Sequence, residues 1–429
     1  MSEIIWEAMR DSGLEEAYYR CKHPSGLEIQ VCTKPGYSSA YALFSTKYGS
    51  IDTSIVCEDG SVTEIPEGTA HFLEHKLFES EDLDAFARFA KTGASANAFT
   101  SFENTSYEFS CSGSFGENLE ILLDFVQSPY FTEATVQKEQ GIIGQEIRMY
   151  QDYPGWVEMM GLLQTLYHSH PVRCDIAGTE QSIAEITAQL LHGCYRNFYN
   201  LHNMILTVVG SATKEQVLAV ADKLLKPCQG SMAVRKRRDD GAPPAQKIVR
   251  RRMAVTVPTF LLGCKERMDW RVMPMEELVA AQLALDALAG EDSALYGQLL
   301  EEGFVNTKFS SELFTGDDFC SVLLGGESHC PEKAAEKITA ALTAAAREGL
   351  DPADIERARK KAWGRMVMGF NDIEDLARRM TEDWFAGGGL FGRAQVLRAI
   401  TPADVNRRLA RMFRPDYFAL SIIEPIEEG

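Results

Sequence analysis

A segment of the sequence recurs about half the chain length further on. The segment from Ile186, ITAQLLHGCYRNFYNLHNMILTVVG, aligns without a gap with the segment from Ile400, ITPADVNRRLARMFRPDYFALSIIE, at an offset of 214 in a chain of 429 residues. Apolar residues occupy matching positions in both copies, such as Leu191 and Val405, and each copy has the pattern of a helix followed by a strand. The repeat predicts two structurally similar halves, each an α+β unit whose helices cover a mostly antiparallel sheet.

In the first half, the stretch EIPEGTAHFLEHKLFES holds two histidines and a glutamate at a spacing that suits a metal site. A helix predicted from Pro66 to about Phe78 sets His71 and His75 one turn apart, with Glu74 beside them. Two neutral imidazoles at i and i+4 can bind one zinc ion. The order His-x-x-Glu-His inverts the pattern His-Glu-x-x-His, in which the glutamate is the general base, and keeps all three side chains on one arc of the helix. We therefore expect His71 and His75 as zinc ligands and Glu74 as the catalytic base.

A catalytic zinc ion needs a third protein ligand and an open fourth position. The stretch from Thr132 to Tyr150 has apolar residues at helical spacing and no proline, so it predicts a long helix. Glu139 and Glu146 lie two turns apart on one face of this helix. The pattern alone leaves open which of them binds the metal.

Several stretches resemble the pitrilysin/insulinase family of zinc peptidases, which includes the mitochondrial processing peptidase. Besides the inverted motif they are TKYGSIDTS, GASANAFTSFENTSYEFS, DFVQSPYFTEATVQKEQGIIGQEI and HPVRCDIAGT, and the resemblance is concentrated in residues 25–225. In that family two glutamates spaced by seven follow the motif; here Glu146 lies 71 residues after His75 and seven after Glu139. The resemblance implies that Glu146 is the third zinc ligand and that Glu139 supports the ligands.

The resemblance also implies how a substrate binds. Two strands are predicted, from Ala94 to Ser101 and from Ser106 to Ser112, and the family has an edge strand beside the metal whose counterpart contains Asn97 and Ala98. A peptide adds to such an edge through main-chain hydrogen bonds, which tolerate many side chains. Without the family, an ordinary strand with a polar residue near its end would be the simpler interpretation.

The second half has lost the motif. A helix predicted from Asp351 to Phe370 aligns with the helix of the glutamate pair and sets Arg365 where Glu146 stands. Active members of the family draw an Arg and a Tyr from a silent domain to steady the substrate and its oxyanion, but the corresponding stretch from Ser321, SVLLGGESHCPEKAAEKI, contains neither. The resemblance therefore implies a homologous partner subunit that lacks the zinc motif and supplies both residues in a heterodimer; a homodimer is the alternative.

The repeat and a basic, proline-containing stretch divide the chain. We predict a zinc-bearing peptidase domain in residues 1–228, a solvated linker in residues 229–249 and a catalytically silent repeat domain in residues 250–429. The family implies that the two halves form a clamshell around this linker. Further predicted elements are strands from Leu27 to Thr33 and from Ala40 to Lys47, and a helix from Asp82 to Lys91.

Composition and charge exclude several other classes of protein. The net charge of −19 argues against a nucleic-acid partner. The sequence has neither an apolar run of membrane-spanning length nor a basic start followed by an apolar stretch, so we expect no membrane partner and a cytoplasmic location. Ten scattered cysteines without a Cys-x-x-Cys pair favour reduced thiols over disulfides or a thiolate zinc site.

Two interpretations other than a zinc metalloendopeptidase stay open. The chain can be a non-catalytic, peptidase-like binding or assembly subunit, although the intact His71, Glu74, His75 and Glu146 favour the enzyme. Alternatively, the motif can be a structural zinc site or a plain core helix in an unrelated fold. A structural site would need a fourth protein ligand, for which Glu139 is the obvious candidate.

Overall fold

Strands and helices follow one another through residues 4–56, 62–81, 84–227 and 240–426, which are the residues described by this computed structural model. The strands are β1 (Glu7–Asp11), β2 (Glu16–Lys22), β3 (Glu28–Thr33), β4 (Ala40–Thr46), β5 (Ser54–Val56), β6 (Val62–Glu64), β7 (Ser95–Thr100), β8 (Thr105–Cys111), β9 (Met204–Gly210), β10 (Ile248–Met253), β11 (Thr259–Lys265), β12 (Ser310–Gly316), β13 (Phe319–Glu327) and β14 (Phe418–Pro425). The helices are α1 (Thr69–Leu77), α2 (Ala85–Thr92), α3 (Phe115–Val126), α4 (Glu133–Gln151), α5 (Pro154–Leu166), α6 (Glu180–Ala184), α7 (Ala188–Phe198), α8 (Lys214–Leu224), α9 (Met275–Ala289), α10 (Ala294–Glu301), α11 (Pro331–Glu348), α12 (Pro352–Gly369), α13 (Ile373–Phe385), α14 (Gly392–Ala399) and α15 (Pro402–Met412). The strands and helices predicted from the sequence are present, with small shifts at their ends.

One sheet of the described chain has seven strands in the order β1-β2-β3-β9-β4-β8-β7. Strands β3 and β9 run parallel, and all other neighbours are antiparallel. Successive side chains of a strand point to opposite faces, so this sheet has two faces of different character. Buried apolar residues such as Ala42, Phe44 and Phe109 form one face and share a hydrophobic core with Phe72 of α1 and Leu122 of α3. Helix α1 is therefore held against the apolar face.

The second sheet repeats the first. Its described strands have the order β10-β14-β11-β13-β12, which is the order of β3-β9-β4-β8-β7, and again only the first pair is parallel. Helices α7 and α15 begin and end at positions 214 residues apart. The prediction of two similar α+β halves with mostly antiparallel sheets is confirmed.

Each sheet packs against a helix from the other half of the sequence. Helix α13 covers the opposite face of the first sheet at β4 and β9, where the hydroxyl groups of Thr207 and Thr381 lie 2.8 Å apart. Helix α5 packs against β11 and β14 of the second sheet, where Thr259 donates a hydrogen bond of 2.6 Å to Glu158. The sequence analysis did not predict this exchange of helices.

Because of the exchange, the two compact units of the chain are discontinuous in sequence. The first comprises Met1–Ile147, Asp175–Lys236 and Val367–Phe391, and the second comprises Arg148–Cys174, Arg237–Met366 and Gly392–Gly429. The domain limits given by the repeat, 1–228 and 250–429, divide the chain by sequence similarity rather than by packing, and they stay a prediction.

The C-terminal part of the predicted linker, residues 229–249, is ordered and partly buried. The carboxylate of Asp240 accepts hydrogen bonds of 2.6 to 2.8 Å from three successive backbone N–H groups, at residues 168–170, and Lys265 Nζ lies 3.0 Å from it. Strand β10 also begins inside this stretch. Most side chains from Ala242 to Ile248 are exposed, so this part of the stretch lies at the surface next to the buried carboxylate of Asp240. Residues 228–239 lie outside the described ranges, and the solvated linker stays a prediction.

The described ranges contain eight cysteines, and all of them are free thiols. Cys57 and Cys228 lie outside these ranges. Among the helices described, none combines the length and the apolarity that crossing a bilayer requires.

Candidate metal and catalytic site

Helix α1 carries both histidines of the inverted motif. It begins at Thr69 and not at Pro66, because the chain turns at Gly68 with a φ of 87°, where a Cβ atom would lie 2.4 Å from a backbone carbonyl oxygen. His71 and His75 follow within this helix, and their ring centroids are 4.6 Å apart. The turn at the glycine thus fixes where the helix starts.

Helix α4 brings Glu146 to the two histidines. Its Oε1 lies 3.7 Å from Nε2 of His71, and its Oε2 lies 3.6 Å from Nε2 of His75. Atoms bound to one tetrahedral zinc ion at about 2.0–2.1 Å lie roughly 3.4 Å from one another, so this spacing suits a shared ion. In the described part of the chain, no other three His, Cys, Asp or Glu side chains come together in this way.

The two imidazoles differ in their electrostatic surroundings. Burial, together with the neighbouring His75, lowers the pKa of His71 to about 3, so its ring is neutral. Its Nδ1 atom is buried without a hydrogen-bond partner among the described residues. Burial also opposes a charge on His75, but a hydrogen bond to Glu139 and the nearby carboxylates outweigh it and raise the pKa. A neutral imidazole beside carboxylates fits a bound cation.

Glu139 lies behind His75. Its Oε1 is 3.0 Å from Nδ1 of His75, and its side chain is only 7% exposed. Because a carboxylate accepts hydrogen bonds, Nδ1 carries the hydrogen, and Nε2 is left facing Glu146. This contact places Glu139 where the sequence analysis expects a supporting residue.

The third residue of the motif, Glu74, is buried between α1 and the end of β7. Burial raises the pKa of its carboxyl group to about 7, although a hydrogen bond from Thr100 and the charge of His75 act in the opposite direction. The Thr100 hydroxyl donates this bond at 2.6 Å. The sequence analysis missed Thr100; the available signal was its position two residues after Ala98, which puts both side chains on one face of β7.

Strand β7 lies at the edge of the first sheet, and β8 is its neighbour in the described chain. Asn97 is exposed and lies opposite Glu108, whereas Ala98 is partly buried against the core and lies opposite Tyr107. An edge strand leaves a row of N–H and C=O groups for another strand. Both residues that the family assigns to substrate therefore lie on a strand that can accept one.

The second unit has the counterpart of α4 but no metal cluster in its described residues. The prediction of a long helix there is confirmed by α12, on which Arg365 is exposed. The stretch from Ser321 that lacks Arg and Tyr forms the strand and helix expected of it, within β13 and α11.

Two similar α+β units, one of which carries an inverted His-x-x-Glu-His helix and a glutamate from a second helix, have the architecture of the inverted-motif metallopeptidases. The sequence model of the insulinase family, peptidase family M16, matches residues 48–180. That of the inactive domain of peptidase M16 matches residues 185–362. The chain belongs to the insulinase family.

A relative and two solved structures match this chain over nearly its whole length. The uncharacterized zinc protease YmfH of Bacillus subtilis (strain 168) is 39% identical over 421 residues, which are 96% of this chain and 97% of that protein. The crystal structure of an M16-like protein from Alicyclobacillus acidocaldarius has a TM-score of 0.91 at 35% identity and covers 99% of both chains. A protease from Helicobacter pylori shares the fold, with a TM-score of 0.80 at 17% identity over 96% of this chain and 100% of the other.

Proposed function

We propose that the chain is a zinc-dependent endopeptidase that hydrolyses bonds in peptides or unfolded segments. The observation that carries the proposal is the convergence of His71, His75 and Glu146 on one point, with the buried carboxyl group of Glu74 on the same helix. Three protein ligands are typical of a catalytic zinc site, whereas structural sites use four. Full-length similarity to a protein named a zinc protease supports the same interpretation.

The metal ligands are His71 and His75, through Nε2, and the carboxylate of Glu146. Glu139 holds the ring of His75 in the tautomer that leaves Nε2 without a hydrogen, as residues behind metal ligands commonly do. When bound, zinc supplies a Lewis acid for peptide hydrolysis.

Glu74 moves the proton. As a carboxylate it takes a proton from the attacking water, and as an acid it delivers that proton to the nitrogen of the leaving amine. Its side chain is 8% exposed, so bulk water has little access to a proton held there. One residue therefore acts as base and then as acid.

The substrate lies along β7 as an added strand. Main-chain groups near Asn97 and Ala98 hydrogen-bond to the peptide, which gives affinity without demanding particular side chains. This mode of binding suits extended peptides and unfolded segments, because a folded substrate rarely offers an unpaired strand.

A homologous partner subunit completes the enzyme. The stretch that in the family supplies an Arg and a Tyr has neither here. We expect a heterodimer with a chain that lacks the zinc motif, and a homodimer as the alternative, working in the cytoplasm. A purified chain that cleaves peptides at full rate, unaffected by any homologous partner, would refute this part of the proposal.

The test of the metal site is elemental analysis of the wild type beside His71→Ala and Glu146→Gln. We expect about one zinc ion per chain in the wild type and its loss in both variants. A folded wild type that takes up no zinc overturns the proposal.

The test of catalysis is peptide cleavage, with and without the partner, by the wild type and by Glu74→Gln. Loss of the general base lowers kcat by about 10²- to 10⁴-fold at unchanged zinc content. A zinc-loaded wild type no more active than Glu74→Gln under both conditions would instead favour the non-catalytic binding or assembly subunit.

A further inference from the structure

Two hydroxyl groups, one at the end of β7 and one at the start of β8, lead to Glu74. The Thr100 hydroxyl donates to Oε2 of Glu74 at 2.6 Å. Its oxygen also lies 3.2 Å from the hydroxyl of Thr105, which is the residue opposite it on β8. Thr105 in turn donates to the carbonyl oxygen of Tyr48 at 2.9 Å. Glu74 is thereby connected, through two hydroxyl groups, to the main chain just beyond the end of β4.

The bond from Thr100 is the hydrogen bond that fixes the carboxyl group of Glu74. Within the described residues, no second side chain or backbone group hydrogen-bonds to the carboxyl group of Glu74. A glutamate side chain has three torsion angles, and burial alone does not fix their values. The hydroxyl of Thr100 therefore decides where the carboxyl oxygens point.

We propose that Thr100 is a positioning residue that holds the general base in register with the edge strand. The inference rests on the proposed function, since it takes Glu74 as the base and β7 as the strand that binds the substrate. Thr100 is the last residue of that same strand. It therefore fixes the position of the Glu74 carboxyl group relative to the main-chain groups of β7 that pair with the peptide. A positioned base needs this precision, as small displacements cost large factors in rate.

The end of β7 is firmly held on its other face as well, so Thr100 has a fixed backbone. The side chain of the preceding residue, Phe99, points to the opposite face, where the guanidinium of Arg378 lies 4.6 Å from its ring centroid. Arg378 also donates to the buried carboxylate of Glu108 on β8 at 3.0 Å. Helix α13 thus clamps the strand from the side opposite to Glu74.

The test compares Thr100→Val, which replaces the hydroxyl by a methyl group of similar size, with Thr100→Ser, which keeps the hydroxyl. Thr207→Val is the matched control, because it removes one hydroxyl from another buried threonine pair, formed by β9 of the same sheet and helix α13 on the face opposite to Glu74. For each variant, kcat, KM, zinc per chain and the position of the Glu74 carboxyl group in a crystal structure are measured.

We expect Thr100→Val to lower kcat by about 10- to 100-fold, with KM within about twofold and the zinc content unchanged, and to displace the Glu74 carboxyl group. Thr100→Ser and Thr207→Val should keep kcat within about threefold of the wild type. A Thr100→Val variant as fast as the wild type, or a Thr100→Ser variant as slow as Thr100→Val, overturns the inference.

Failure of the proposed function gives a different result. In that case the wild type is as inactive as Glu74→Gln, whatever residue 100 is. The crystal structures then decide: an unmoved Glu74 carboxyl group in Thr100→Val overturns the positioning role, and a displaced one supports it.

Discussion

Glu139 and His75 form a hydrogen bond of 3.0 Å between Oε1 and Nδ1, one layer behind the candidate metal ligands. The contact joins α4 to α1, and it determines which ring nitrogen of His75 faces Glu146. Glu139 and the candidate ligand Glu146 therefore come from the same helix.

Glu139→Ala should weaken zinc binding without abolishing it. The ring of His75 loses the group that fixes its tautomer and orientation, so we expect a 10- to 100-fold higher Kd for zinc, on the order of other supporting residues. Competition with a chelator of known affinity measures the change. Glu133→Gln, an exposed carboxylate on the same helix, is the control and should leave the Kd unchanged.

Zinc should stabilise the folded chain, and removing it should lower the unfolding temperature. A ligand that binds only the native state adds about 4 kcal/mol at a thousand times its Kd. We expect a rise in Tm when zinc is added to the metal-free wild type, and none in His71→Ala or Glu146→Gln. An equal rise in all three proteins would place the ion elsewhere.

Glu158 should make the chain less stable as the pH rises. Burial raises the pKa of this carboxyl group to about 7, against which the hydrogen bond from Thr259 acts only in part. Between the ordinary glutamate pKa of 4.5 and 7 the native state holds the proton that the unfolded state releases, so stability falls with rising pH and reaches its lower level above pH 7.

Replacing Glu158 by Gln should remove this dependence. At pH 8 we expect the free energy of unfolding to rise by up to about 3 kcal/mol, and at pH 4 we expect little change. Urea unfolding at both pH values measures the difference, with the exposed Glu348→Gln as control. A variant that is no more stable than the wild type at pH 8 would show that the ionised carboxylate is tolerated.

Asp240 should be important for the stability of the second unit. Its carboxylate and the ammonium of Lys265 are almost fully buried, and removing one partner of a buried pair typically costs about 3 to 5 kcal/mol. Asp240→Ala should therefore unfold at lower urea concentration than the wild type. The double variant Asp240→Ala with Lys265→Met should recover part of the loss, because no buried charge is then left alone.

Asp240 should also make the chain sensitive to acid. Although burial opposes its charge, backbone hydrogen bonds and Lys265 hold the pKa of this carboxyl group below its ordinary value of 3.8. The stabilisation is present above that value and is lost as the pH falls below it. In Asp240→Ala the decline in stability below pH 4 should be smaller.

The sequence predicted the elements of this fold well, because their signals are local. The spacing within His-x-x-Glu-His, the helix of Glu139 and Glu146, and the 214-residue repeat can all be read from short stretches. The exchange of helices, by contrast, could not be predicted from short stretches. Thr207 and Thr381 meet although 174 residues separate them, and neither residue has a pattern that names its partner.

Thr100 and Asp240 were missed for a related reason. Thr100 is a hydroxyl residue at the end of a strand, and Asp240 is an acidic residue in a charged stretch. Such residues are common and usually have no special role, so only their neighbours in the fold reveal what these two do. Sequence patterns thus predicted the candidate ligands and Glu139 behind them, whereas the contacts of Thr100 with Glu74 and of Asp240 with Lys265 became visible only in the fold.

The exchange of α13 also determines when the first unit can be completed during translation. The first sheet is fully synthesised once β9 has been made, yet the helix that covers its face opposite to α1 ends about 175 residues later, roughly 9 to 35 s at 5–20 residues per second. During that interval the nascent unit has the motif helix and its sheet but lacks Arg378 over Phe99. The half of the gene that encodes the candidate metal ligands is therefore insufficient to complete the unit that carries them.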